Sequence, residues 1–246
     1  MLRLYHLIIG VIALLILVPL GFKVTGSGSS KNSDSPPVVQ TSAATTSSPN
    51  GNNIWKNLAQ KTASPKDWQV APCDGNAPLL CISANGEHVG TVEMLIYPLE
   101  KQPNFQKMLT QAGIDPSKKI DYQNPQHQTQ LLSALNAWVN EHYAGLEKDR
   151  QRSYGDRITF SSYPSQKVQV GKLPGLRYGF VGLKRQGGVQ EQHVGYVTFD
   201  GKALYVMATA FDPVSQTGKF DKLENFAVFE PYLDAIAFNL RLPSSI

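Results

Sequence analysis

GYVTFDGKALYVMATAFDP, residues 195–213, is the stretch that decides the fold. Asp200-Gly201 lies between two apolar runs, and that pair suits the positive φ angles of a tight hairpin turn. After the turn, residues 203–211 are apolar at odd and even positions alike. Such a strand belongs in the middle of a sheet that is covered on both faces. The run before the turn, residues 189–199, is its hairpin partner.

Working outward, Gln186-Gly187-Gly188 is a turn that joins residues 189–199 to a strand over 176–183. Residues 168–170 lead through Gly171 to Pro174-Gly175, and 157–161 form a short strand. Nearer the N-terminus, a strand over 79–82 turns at Asn85-Gly86 into a strand over 89–97, which Pro98 ends. Residues 54–59 read as a short helix, and 103–112 as another with Gly113 as its stop. Leu131, Leu135, Trp138, His142 and Leu146 recur at helical spacing, with Pro125 near the start and residues 147–150 near the end. The chain closes helically through Phe220, Leu223, Phe226, Phe229, Leu233 and Ile236, with Pro231 starting a new helix or kinking this one. The expected fold class is α+β: a three-layer α/β/α sandwich with a central antiparallel sheet, formed by residues 54–246.

The N-terminus sets the compartment. LYHLIIGVIALLILVPLGF starts at Leu4, ends at Phe22 and contains no Asp, Glu, Lys or Arg. As a helix it covers roughly 28 Å, close to the hydrocarbon thickness of a bilayer. It is longer than the ~7–15 residue apolar core of a secretory signal, and no A-x-A pattern follows it. Residues 1–23 are therefore expected to be an N-terminal tail and an uncleaved transmembrane signal anchor. Arg3 and the terminal amine precede the span and Lys23 follows it, so the N-terminus is expected in the cytoplasm and the bulk of the chain outside it. Residues 24–53 follow, and 22 of those 30 are Ser, Thr, Gly, Pro or Asn. Such a stretch buries too little apolar surface to offset the entropy of ordering it, so it reads as a disordered linker. As a flexible coil it spans about 30 Å.

The two cysteines, Cys73 and Cys81, sit in APCDGNAPLLC. Zinc pairs usually have C-x₂₋₄-C spacing and thioredoxin-like redox pairs C-x-x-C. An exported pair closing a short loop is commonly a structural disulfide. Two free buried thiols are the alternative.

Other candidate sites are weaker. With the first 53 residues removed, 20 basic groups face 18 acidic ones, too even a balance for a nucleic-acid binder. The basic stretch at 148–152 reads as a solvated turn. His142 shares the apolar helix stripe with Trp138, as a half-buried histidine would. Glu191 and His193 alternate on one strand face and could hold a cation weakly, against the plainer reading of a solvated face. Gly171, Gly175, Gly179, Gly182 and Gly195 fall in strands, where close packing and curvature are the expected reason and a concave partner-binding face the alternative. There is no H-E-x-x-H, G-x-S-x-G or P-loop pattern, so no catalytic, cofactor-binding or metal-binding residue is assigned.

The 195–213 run with the Phe-rich helical end, the Asn85-Gly86 hairpin and GKLPGLRYGF at residues 171–180 resemble the PsbP-like family of photosystem II extrinsic subunits and assembly helpers. The Cys73/Cys81 pair and the membrane anchor depart from the family's general pattern. The resemblance implies a non-enzymatic, exported binding or assembly module in the periplasm or thylakoid lumen. The expected function is a membrane-tethered extracytoplasmic interaction module. Its partners would be the membrane, through residues 4–22, and a membrane protein complex, which the resemblance implies is a photosynthetic one. The alternatives are an exported ligand-binding domain or enzyme with an unrecognised site, and a cell-envelope protein.

Overall fold

The computed structural model describes residues 52–59 and 62–243. The signal anchor, and the linker up to residue 51, lie outside the described residues. Among those residues no helix is long and apolar enough to cross a membrane.

Nine strands among the described residues form one sheet in the order β1-β2-β3-β9-β8-β7-β6-β4, with β5 also paired to β6. The strands are β1 (Trp68–Pro72), β2 (Leu79–Ala84), β3 (Glu87–Pro98), β4 (Ile158–Ser162), β5 (Gln166–Val170), β6 (Leu173–Lys184), β7 (Val189–Phe199), β8 (Ala203–Phe211) and β9 (Lys219–Phe220). The helices are α1 (Trp55–Leu58), α2 (Pro103–Gln111), α3 (Pro125–Tyr154) and α4 (Leu223–Phe238). The fold is α+β, with helices on both faces.

The β7–β8 hairpin carries the middle of the sheet. The carboxylate of Asp200 accepts the backbone N–H groups of Lys202 (2.7 Å) and Ala203 (2.8 Å), while Gly201 takes φ 95°. Beyond the turn, the two faces of β8 serve two cores. Ala203, Tyr205 and Met207 pack with Trp55, Phe226, Phe229 and Leu233 from α1 and α4. Leu204 and Val206 pack with Phe105, Leu109, Leu131 and Leu135 from α2 and α3. The missing polar alternation of this strand is thus explained: neither face meets water.

The sheet is mixed rather than purely antiparallel. β9 runs parallel to β8, pairing Ala210 with Lys219 and Phe211 with Phe220. β3 pairs with β8 along residues 93–98 and with β9 at Gly90. The two-residue strand thus fills the wedge where β3 and β8 separate, and it takes Phe220 out of the terminal helix. Pro231 neither starts nor ends a helix, because α4 runs through it. Pro231 and Ala227, whose carbonyl loses its partner there, are both exposed, so water satisfies the freed group. α3 runs four residues past the expected end, to Tyr154, and Gly155 at φ 56° stops it. The 148–152 stretch is therefore helix, not a turn.

Asn53, the last residue of the expected linker, is held by the folded part. Asn53 is fully buried and donates to the carbonyls of Cys73 (2.9 Å) and Leu79 (2.8 Å). Those carbonyls belong to the loop between β1 and β2, which Cys73 and Cys81 close as a disulfide with Cα atoms 5.0 Å apart. Cys81 lies within β2 opposite Ala71, so the bridge pins the edge strand β1 and its loop to the sheet. Replacing both cysteines by alanine is expected to lower unfolding stability by about 2–3 kcal/mol, the loop-entropy value for so short a ring. Urea unfolding of the oxidised protein and the double variant measures this, and equal midpoints would remove the staple role.

Most of the strand glycines meet close neighbours. A Cβ at Gly195 would lie 2.5 Å from Cζ of Tyr178, whose ring lies over the bare backbone. Gly171 takes φ 59° at the β5–β6 turn. This is the close-packing reading, not a concave open face.

Candidate functional site: a buried charge cluster under a helix end

On β7, Glu191, His193 and Gly195 point to the α3 face of the sheet. The strand face is not solvated, because Glu191 is 0 % exposed. From β6, Phe180 stacks on the His193 ring with centroids 4.2 Å apart. Asp212 sits just past the end of β8, only 3 % exposed, and accepts the Val214 N–H at 2.9 Å.

The partner of these groups comes from α3. Arg150 turns inward near the helix end and donates Nε–H to both oxygens of Glu191, at 2.7 and 2.9 Å. Its Nη1 meets Asp149 at 2.8 Å, and its Nη2 lies 3.7 Å from Asp212. Nε2 of His193 lies 2.9 Å from Glu191 and 3.5 Å from Asp212. Two buried carboxylates are thus offset by a guanidinium and an imidazole, as burial of charge requires.

The electrostatics follow. Burial pushes the carboxyls of Glu191 and Asp212 up. Hydrogen bonds outweigh it, from His193 and Arg150 to Glu191 and from His193 and the Val214 N–H to Asp212, so both titrate below their ordinary values. Burial likewise pushes His193 down, but its hydrogen bonds to Asp212 and Glu191 and their charges outweigh it, so His193 titrates above its ordinary value. His142 behaves in the opposite sense. It is half-buried, stacked on Trp138 at 5.3 Å, and burial with a smaller push from His193 takes it down to about 4.

The two histidines give a signed prediction. The contribution of His193 is complete below the unfolded value of about 6.5 and is lost as pH rises through its folded value. The contribution of His142 is complete above about 6.5 and is lost as pH falls toward its folded value. Thermal stability should therefore peak near pH ~6.5 and fall on both sides, with Glu191 and Asp212 steepening the acid limb. His193→Gln should flatten the alkaline limb and His142→Gln the limb below the peak. An unchanged alkaline slope in His193→Gln would contradict the assignment.

Glu191, His193 and Asp212 present donor atoms within 4.8 Å of one another, a set chemically suited to a divalent cation. Arg150, however, donates Nε–H to both oxygens of Glu191, and Nε2 of His193 lies 2.9 Å from the same carboxylate. A metal would have to displace both contacts. The residues do not fit a resident metal in this arrangement; they fit a closed ion network that bolts the end of α3 to the sheet.

A second polar group lies on the opposite face. Arg177 on β6 reaches Glu230 on α4 at 2.7 Å, and the hydroxyl of Tyr196 donates to Asp234 at 2.7 Å. Beside it is a groove of about 410 Å³ between β5 and α4. A cavity of about 210 Å³ lies where the loop after α2 meets His127 on α3.

The sequence shows the alternation of Glu191 and His193. It does not show Arg150, which sits in the charged stretch read as a solvated turn, or Asp212, which no local pattern links to them. Cys73 and Cys81 lie at the β1 edge and take no part in the cluster.

Comparison with known proteins adds little. No family model matches the chain, and no curated protein does. Among solved structures, the chain is similar to the solution structure of cyanobacterial PsbP (CyanoP) from Synechocystis sp. PCC 6803. The identity is 10 %, the TM-score 0.35, and the match covers 76 % of this chain and 92 % of that one. A likeness at that level carries no inference about role.

Proposed function

We propose that this chain is a non-enzymatic interaction module. Residues 4–22 tether it to a membrane, its folded part lies on the extracytoplasmic side, and it serves the assembly or stability of a membrane protein complex. One observation carries the non-enzymatic part: the shifted ionisable groups of the main cluster are spent on one another. Glu191, Asp212, Arg150 and His193 form a network with Glu191 fully buried. A general acid or base needs reach to a substrate proton, and here that reach is taken by partner side chains. The apolar N-terminal run, the polar linker and the disulfide support the tether and the compartment. The sequence resemblance to the PsbP-like family favours a photosynthetic complex in the thylakoid lumen or periplasm.

A reporter active only in the cytoplasm or only outside it, fused after Ile246, tests the compartment. Activity outside is expected, and cytoplasmic activity would overturn the tethered reading. Crosslinking in intact membranes followed by affinity capture through the C-terminus tests the partner class. Specific recovery of membrane proteins is expected, and an empty capture would refute the assembly role.

A further inference from the structure

We infer that the open edge of β5 is a docking strand for an extended polypeptide segment. The segment adds to the sheet in the groove between β5 and the C-terminal half of α4. The inference rests on the interaction-module reading and specifies which surface meets the partner and what chemistry that partner offers.

β5 pairs with β6 on one side, and among the described residues no strand pairs with its other side. The orientation of its backbone groups follows from the hairpin. The β5–β6 loop is two residues, Gly171-Lys172, with Gly171 at φ 59° in the first position, as a type II′ turn requires. In such a hairpin the flanking pair, Val170 and Leu173, exchanges both backbone hydrogen bonds. Alternation then makes Gln169↔Pro174 a non-bonded pair and Val168↔Gly175 a bonded one. Pro174 has no N–H to give, which agrees. The N–H and C=O groups of Gln169 and Lys167 therefore point away from β6, toward the open edge. A row of such groups is a template for another strand.

The groove beside that edge has the walls a strand needs. Gln166, Val168 and Gln169 form one side; Asp234, Ala235 and Phe238 form the other. Phe238 is 55 % exposed at the end of α4, an apolar ring with no cover of its own. Among the described residues Asp234 is the one carboxylate of the lining, its side chain 63 % exposed, and no Lys or Arg lines the groove. Its contacts with Tyr196 and Arg177 both fall on Oδ1. α4 is held against the hairpin by the Gly171 N–H bond to the Ala237 carbonyl, 2.8 Å, so the walls keep their spacing. The matching occupant is an extended segment with an apolar side chain for Phe238 and a Lys or Arg for Asp234.

The full chain in detergent micelles, panned against a phage-displayed library of random peptides, tests this. Enriched peptides should combine an apolar residue with a Lys or Arg, and in the complex the Lys167 and Gln169 amides should exchange more slowly. Gln169→Pro removes an outward N–H without touching the β6 ladder and should weaken the selected peptides about tenfold or more, the loss of a hydrogen bond plus a steric block at the edge. Phe238→Ser, at an exposed position, gives a second loss that does not depend on how Gln169→Pro folds. No enrichment, or equal binding by wild type and both variants, would overturn the proposal. So would self-association of the wild type that Gln169→Pro abolishes, since a second copy would then be the occupant. If Gln169→Pro retains the membrane proteins captured by crosslinking, the docking strand fails while the interaction module stands.

Discussion

Arg150→Met is expected to destabilise the folded protein by about 3–5 kcal/mol, the usual cost of removing one partner from a buried ion pair. Most of that loss is not the missing attraction. It is the carboxylate of Glu191, fully buried and left with His193 alone to balance it. The control is the double variant Arg150→Met/Glu191→Met. The double variant removes the buried carboxylate together with its partner and leaves no unpaired Glu191 charge, so much of the lost stability should return. Urea unfolding followed by circular dichroism of the wild type, both single variants and the double variant gives the cycle. Additive single effects would mean that Arg150 and Glu191 act independently, and the bolt between α3 and the sheet would have to be abandoned.

Trp55→Ala should cost a similar amount, about 3–5 kcal/mol, as large-to-small changes of fully buried aromatic residues do. Trp55 is 0 % exposed, and its indole N–H donates to the Pro78 carbonyl at 2.9 Å inside the disulfide-closed loop. The variant opens a cavity in the α1/α4 core and removes one of the two hydrogen bonds to that carbonyl, which keeps the Met94 N–H at 2.9 Å. Lys56→Ala, on the exposed side of the same short helix, should change stability by no more than about 0.5 kcal/mol. A loss below about 1 kcal/mol for Trp55→Ala would mean that α1 is an ornament on the fold and not part of its core.

Where local chemistry is decisive, the fold is legible in the sequence. The β7–β8 hairpin follows from Asp200-Gly201 and a strand with no polar parity, and the two cores on either side of β8 show why. Strong turns and long apolar periodicities fixed α2, most of α3 and the larger strands. Shorter elements escaped. β9 is two residues long, and its place between β3 and β8 depends on how those strands splay. β1, with its alternating Trp68-Gln69-Val70-Ala71-Pro72, ends in a proline that disguises an edge strand. Pro231 read as the start of a new helix or a kink in this one, and it lies inside the single helix α4, at a position exposed to solvent.

The candidate site was half legible. Glu191 and His193 share a parity, so any strand over residues 189–199 brings them together. That they are buried depends on α3 reaching four residues further than its pattern suggested and turning Arg150 inward. Phe180 from β6 and Asp212 from just past β8 complete the cluster, at separations along the chain that no local pattern spans.

The residues alone determined the central hairpin, the two-sided covering of β8 and the short disulfide-sized loop, because turn geometry, side-chain parity and ring closure are local properties. Only the tertiary structure decided that β9 inserts parallel to β8, that Glu191 is buried against Arg150, and that β5 is left with an open edge. Each of these depends on which distant segments occupy the same space, and neither burial nor an unpaired backbone group exists until the chain has packed.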